Sequence, residues 1–124
     1  MKEWAMELPL RRPPLSANQR MHWAQLAREK KKLRQMGRAV AAAARLPRGL
    51  SCVEVWIEVT PRDRRRRDPS NWMPTQKALL DGLVDYGLVP DDCPPFVRER
   101  MPELMEVDRE RPRVVLVVRE GSRR

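Results

Sequence analysis

Five carboxylates and one ammonium fall in a stretch of 25 residues: Asp68, Asp81, Asp85, Asp91 and Asp92 around Lys77. Lys77, Asp81 and Asp85 recur every four positions, so on a helix they share one face. A dozen helical residues advance about 18 Å. The residues from Leu88 to Asp92, extended back alongside such a helix, recover about 17 Å. One short return therefore brings the two ends of the segment, Asp68 and Asp92, towards each other. Directly upstream lies the dense cationic run Arg62-Asp63-Arg64-Arg65-Arg66-Arg67. Carboxylates beside a phosphate-binding surface would repel its ligand unless a divalent cation stood between them. Mg²⁺ takes hard oxygen ligands, commonly one or two carboxylates plus water and substrate phosphate oxygens. It activates water and polarises a phosphoryl oxygen for in-line displacement, and a nearby Lys can stabilise the charge that builds there. That is metal-dependent phosphodiester hydrolysis, which needs no His, Cys or glycine loop. Plainer roles exist for the same residues. Asp68 before Pro69 is a good helix N-cap with Pro at the first position. Lys77 and Asp81 can form an exposed helix pair, and Pro90-Asp91-Asp92 can be a solvated turn.

The chain has 124 residues, with 26 Lys and Arg against 17 Asp and Glu, a net charge of +9. That length fits one domain spanning residues 1–124, able to bury roughly two-thirds of its unfolded surface without disulfide or metal staples. The positive charge is localised: from Arg20 to Arg48 there are nine basic residues and one acid, Glu29. Arg outnumbers Lys 21 to 5, and the guanidinium fork suits bidentate phosphate contact. Clustered basic charge is the footprint of a polyanion partner.

Other classes are excluded. His22 is the single histidine, so multi-histidine metal sites fall. Cys52 and Cys93 cannot make a four-cysteine zinc site. No GxxxxGK[ST] or GxGxxG loop exists to cradle a nucleotide, so no organic cofactor is implied. The longest apolar run, from Ala39 to Ala44, is far too short for a bilayer, and the N-terminus lacks a signal-peptide core. A reducing cytoplasm is the expected compartment.

The elements that must position these groups follow from periodicity. Trp4, Met6 and Leu8 alternate with Glu3, Ala5 and Glu7, a half-buried strand. A long helix capped by Ser16 or Asn18 runs to about Ala44, with Trp23, Leu26, Leu33, Met36 and Val40 expected inward and Arg28, Lys31, Lys32 and Arg38 outward. Val53 to Val59 alternates as a second strand, stopped by Pro61. A helix from about Pro74 to Tyr86 ends at Gly87, placed for a left-handed stop. A broken strand near Phe96 to Arg100, resuming at Leu104, is interrupted by Pro102. The apolar run from Val114 to Val118 predicts a central strand covered on both faces. Together these predict an α/β (α+β) fold, one mixed sheet of about four strands with two main helices packed on it. Trp72 is expected to pack under its loop, with stacking on an unpaired base as the alternative.

At these residues the sequence resembles the RusA family of Holliday junction resolvases. The match is carried by Asp63-Arg64-Arg65-Arg66-Arg67-Asp68, Asn71, Lys77-Ala78-Leu79-Leu80-Asp81, Gly87 and Asp91-Asp92. It is specific over about thirty residues and looser across the chain, from Pro13-Pro14-Leu15-Ser16-Ala17-Asn18 to the closing strand. The resemblance implies a homodimeric Mg²⁺-dependent endonuclease, with Mn²⁺ as a substitute, that resolves four-way DNA junctions. It implies Asp68 and Asp92 as metal-binding catalytic aspartates, Lys77 as the catalytic lysine, and Asp81 as a further acid. Ser70 stands where the family has a second metal-binding acid, so Asn71, Asp91 or Asp81 is expected to compensate. Three extra residues, within Trp72 to Thr75, also separate Asp68 from Lys77. Arg64, Arg65, Arg66, Arg67, Lys31, Lys32 and Arg12 are expected on the DNA. A four-way junction is two-fold symmetric, which a two-fold dimer matches. The departure at Ser70 keeps a second reading open, a junction-binding module without cleavage. A third is a basic nucleic-acid packaging protein with no preference for junctions.

Overall fold

In the computed structural model residues 2–17 and 19–121 are described. The sheet is mixed. β1 (Glu3–Leu8) pairs antiparallel with β5 (Arg113–Glu120), which pairs antiparallel with β2 (Val53–Thr60). The far edge of β2 carries two short parallel strands in tandem, β3 (Val97–Glu99) and β4 (Glu103–Leu104). The strand near Phe96 thus resumes at Glu103, and among the described residues the sheet has five strands in place of about four.

The alternation sets the register. Val55, Ile57 and Val59 stand opposite Val118, Leu116 and Val114, which stand opposite Trp4, Met6 and Leu8. This face carries the core, closed by α1 (Trp23–Ala43) and α2 (Met73–Tyr86). Among the described residues no helix covers the opposite face. Trp56 and Val117 are nonetheless buried, and the Arg100 and Arg119 guanidiniums stack 4.3 and 5.0 Å from the Trp56 ring centre. Arg119 is tied there by Glu3 at 2.9 Å. β5 is the central strand expected, and beside its outward face two guanidiniums cover the Trp56 ring of β2.

The two helices cross at glycines. A Cβ on Gly37 would lie 2.3 Å from the Leu79 carbonyl oxygen, and one on Gly82 would lie 2.1 Å from that of Arg34. Backbone meets backbone, so no side chain fits at either point. Arg34 clamps the crossing through a two-pronged pair with Asp85. The buried stripe of α1 is accordingly Leu33, Gly37 and Ala41. Of the residues expected inward, Leu33 is buried and Leu26, Met36 and Val40 pack partly buried against the core, whereas Trp23, the first residue of α1, is 76% exposed. The cap also differs: His22, not Ser16, precedes the helix and accepts the Ala24 N–H at Nδ1, 3.2 Å. Asn18 lies outside the described residues. Arg28, Lys31, Lys32 and Arg38 point outward as expected.

Proline has no N–H to give the ladder, and Pro102 marks the break between β3 and β4. The fully buried Gln76 fills it. Its Oε1 accepts the Ile57 N–H at 2.8 Å, and its Nε2 donates to the Arg100 carbonyl at 2.7 Å and to Glu99 Oε2 at 3.1 Å. One side chain thereby completes the sheet and fixes the register of α2 against it. Among the described residues no helix is long and apolar enough to cross a membrane.

Candidate active site

α2 begins after a 3₁₀ turn, Pro69–Trp72, whose N-cap is Asp68. Asp68 Oδ1 accepts from the Ser70 N–H at 2.9 Å and the Ser70 hydroxyl at 2.8 Å. These bonds, with Arg66 nearby, hold the Asp68 carboxyl below the usual range. The capping role read for Asp68 is realised on this turn. Ser70, a candidate metal ligand, turns its hydroxyl to Asp68.

Asp68 and Asn71 border a groove of about 850 Å³ lined by Arg11, Arg12, Arg62, Arg65, Arg66 and Arg113. Its wall near Arg12 is anchored by Leu15, whose N–H and carbonyl both bond the buried Thr75 hydroxyl, at 3.2 and 2.7 Å. Asp63 shapes the loop. It accepts the Arg65 N–H at 3.1 Å and Arg67 Nη2 at 2.8 Å, which lower its pKa. Arg67 Nη1 also donates to the Asp63 and Arg65 carbonyls. Arg67, expected on DNA, thus lines the groove with its fork already committed to the loop, whereas Arg65 and Arg66 are exposed. Arg64 is exposed in the same loop outside the lining, and Lys31 and Lys32 are on α1, also outside it. Trp72 is buried beneath the loop.

The second centre lies on the outer face of α2. The return after Gly87, whose φ of 97° is the left-handed stop expected, carries Asp92 back to Lys77. Lys77 Nζ donates to Asp92 Oδ2 and lies 3.8 Å from Asp81 Oδ1. Asp91 Oδ1 accepts the Asp92 N–H at 2.7 Å, fixing the turn. The bond from Lys77 holds the Asp92 carboxyl below its usual range, and the same bond raises the Lys77 ammonium. Asp81 is shifted the other way: burial raises it against the opposing pull of Lys77. Asp85, on the same face, belongs to Arg34, whose hydrogen bond lowers it.

Glu99 also acts on Lys77, and sequence reasoning missed it. The signal was the alternation on β3, which puts Glu99 on the side of the buried Val97, facing the helices. Gln76 then holds its carboxylate.

The return leg brings Asp92 to the Lys77 ammonium, and the charged neighbour that lowers Asp68 is Arg66. Among the described residues no three of His, Cys, Asp and Glu are grouped to hold a metal ion. Two carboxylates, Asp92 and Asp81, nevertheless converge on the Lys77 ammonium. Their oxygens are hard donors, and Mg²⁺ needs only one or two from protein when water and phosphate complete its shell. The donor chemistry fits such an ion. No family model matches the chain, and no curated protein matches it.

Proposed function

We propose that the protein is a Mg²⁺-dependent, structure-selective endodeoxyribonuclease of the RusA type, acting as a homodimer on four-way and other branched DNA, with Mn²⁺ as a substitute ion. The observation that carries the reading is the convergence of Asp92 and Asp81 on Lys77, on the helix whose approach borders an arginine groove. A purely structural ion pair does not require a second carboxylate kept at the cost of burial.

In this reading Arg12, Arg65 and Arg66 hold the phosphodiester backbone, and Arg64, Lys31 and Lys32 extend the positive surface. Asp92 and Asp81 would hold the ion, and Asp68 stands at the groove as a further carboxylate. When bound, a divalent ion would lower the pKa of a water and polarise the phosphoryl oxygen. Lys77, kept protonated by Asp92 and half exposed, is placed to neutralise charge on the phosphate as its P–O bond breaks. Asp91 holds the Asp92 turn in place. With a DNA substrate and two free thiols, Cys52 and Cys93, a cytoplasmic location belongs to the same reading.

One observation favours a second reading, junction binding without cleavage: the Ser70 hydroxyl is bonded to Asp68 where the resemblance implies a carboxylate. A labelled synthetic four-way junction with Mg²⁺ or Mn²⁺, against EDTA, separates them. Paired metal-dependent nicks support the endonuclease. A bound but intact junction at every metal concentration leaves the binding module.

A further inference from the structure

Trp23 is a large aromatic side chain, 76% exposed, in a region without other exposed large apolar groups nearby in sequence. It begins a stripe along α1. At about 100° per residue, Trp23, Ala27, Lys30, Lys31, Arg34 and Arg38 fall within roughly one quadrant of the helix, and all six are exposed. The stripe runs about 22 Å at 1.5 Å per residue. Arg34 is committed to Asp85, whereas Lys30, Lys31 and Arg38 enter no salt bridge among the described residues.

The indole is also braced. The His22 ring lies 5.5 Å from it, tilted by 33°, and is itself fixed by the bond from the Ala24 N–H to Nδ1. A braced aromatic loses little freedom on stacking. An apolar protein partner is poorly matched here, because covering Trp23 would also cover the cationic stripe beside it. A polyanion that carries flat π-faces matches both features, and single-stranded nucleic acid is that ligand.

We propose that Trp23 stacks on an unpaired nucleobase while Lys30, Lys31 and Arg38 follow the adjoining phosphates. This makes α1 a single-strand contact distinct from the arginine groove. The inference rests on the nucleic-acid part of the proposed function, not on its hydrolytic part. It suits a branched substrate, where bases at the branch point lose their partners.

The test is equilibrium binding in EDTA, with a short fluorescent oligothymidylate and an abasic strand of equal length as probes. Trp23→Ala is expected to weaken thymidylate binding by about 5- to 150-fold. It should leave abasic binding and the salt dependence of both unchanged, and Trp23→Phe should restore most of the loss. Lys30→Ala with Lys31→Ala is expected to flatten the salt dependence on both strands. Equal affinities of wild type and Trp23→Ala for thymidylate would overturn the proposal. So would an equal loss on both strands, or a loss matched by dissociation in sedimentation, which would make Trp23 a contact between copies. Wild-type protein that binds neither strand would remove the nucleic-acid reading itself, whereas failure to cleave would bear only on the hydrolytic centre.

Discussion

Lys77 and Asp92, fifteen residues apart, form a direct ion pair across the outer face of α2. The pair closes the return loop onto the helix it has just left, and Asp81 one turn along the helix joins it at 3.8 Å from the same ammonium. Two carboxylates around one lysine leave net negative charge at a half-exposed point on a strongly basic protein. In the proposed reading, this local inversion of sign is where a divalent ion would be held beside the Lys77 ammonium.

Asp81 carries a prediction with opposite signs for stability and activity. Its folded pKa is raised, chiefly by burial, above the unfolded value of about 3.9. Folding then takes up a proton, so stability falls as pH rises from the unfolded towards the folded pKa. Asp81→Asn is expected to raise the melting temperature at pH 7, with no gain at pH 3, while lowering cleavage. An equal change at both pH values would assign the effect to packing.

Asp85 has the reverse linkage. The Arg34 bond depresses its pKa, so its stabilisation is present above about pH 3.9 and is lost as pH falls through the folded value. Removing the clamp with Arg34→Ala should flatten the acid limb of the stability curve below pH 4. An unchanged acid limb in urea titrations would show the pair to be solvated.

The helix crossing admits no Cβ. Gly37→Ala and Gly82→Ala each force backbone apart and are expected to cost about 1–3 kcal/mol or more. Urea unfolding measures this, and a loss below about 0.5 kcal/mol would mean that the crossing relaxes freely.

Gln76→Leu would strip the Ile57 N–H and the Arg100 carbonyl of a buried partner. Each stranded group costs about 1–3 kcal/mol, so a loss of at least about 2 kcal/mol is expected in chemical denaturation. It should be accompanied by faster exchange of the Ile57 amide. Retained protection there would show that another group fills the gap.

Legibility in the sequence tracks the range of the interactions. The strands and α2 follow from local alternation, helical spacing and a glycine stop. Lys77 and Asp81 follow from i,i+4 spacing, and chain length predicts the return of Asp92 alongside α2, though towards Asp68 and not to the Lys77 ammonium that it meets. The inward face of α1 follows in part: Leu33 is buried and Leu26, Met36 and Val40 pack against the core, as helical spacing predicts. Periodicity weights large apolar residues, so it did not reveal the close contact at Gly37 and Ala41 or the exposure of Trp23. Gln76 and Glu99 were not legible because their roles depend on a gap in the sheet edge, a long-range feature that neither segment reveals alone.

The proposed hydrolytic role of the Lys77–Asp92 centre is tested most directly by single-turnover cleavage of a labelled four-way junction in Mg²⁺, with binding measured in parallel in EDTA. For Asp92→Asn, cleavage is expected to be abolished while junction affinity is equal to or greater than that of the wild type. Cleavage by Asp92→Asn at the wild-type rate would remove this centre from the chemistry.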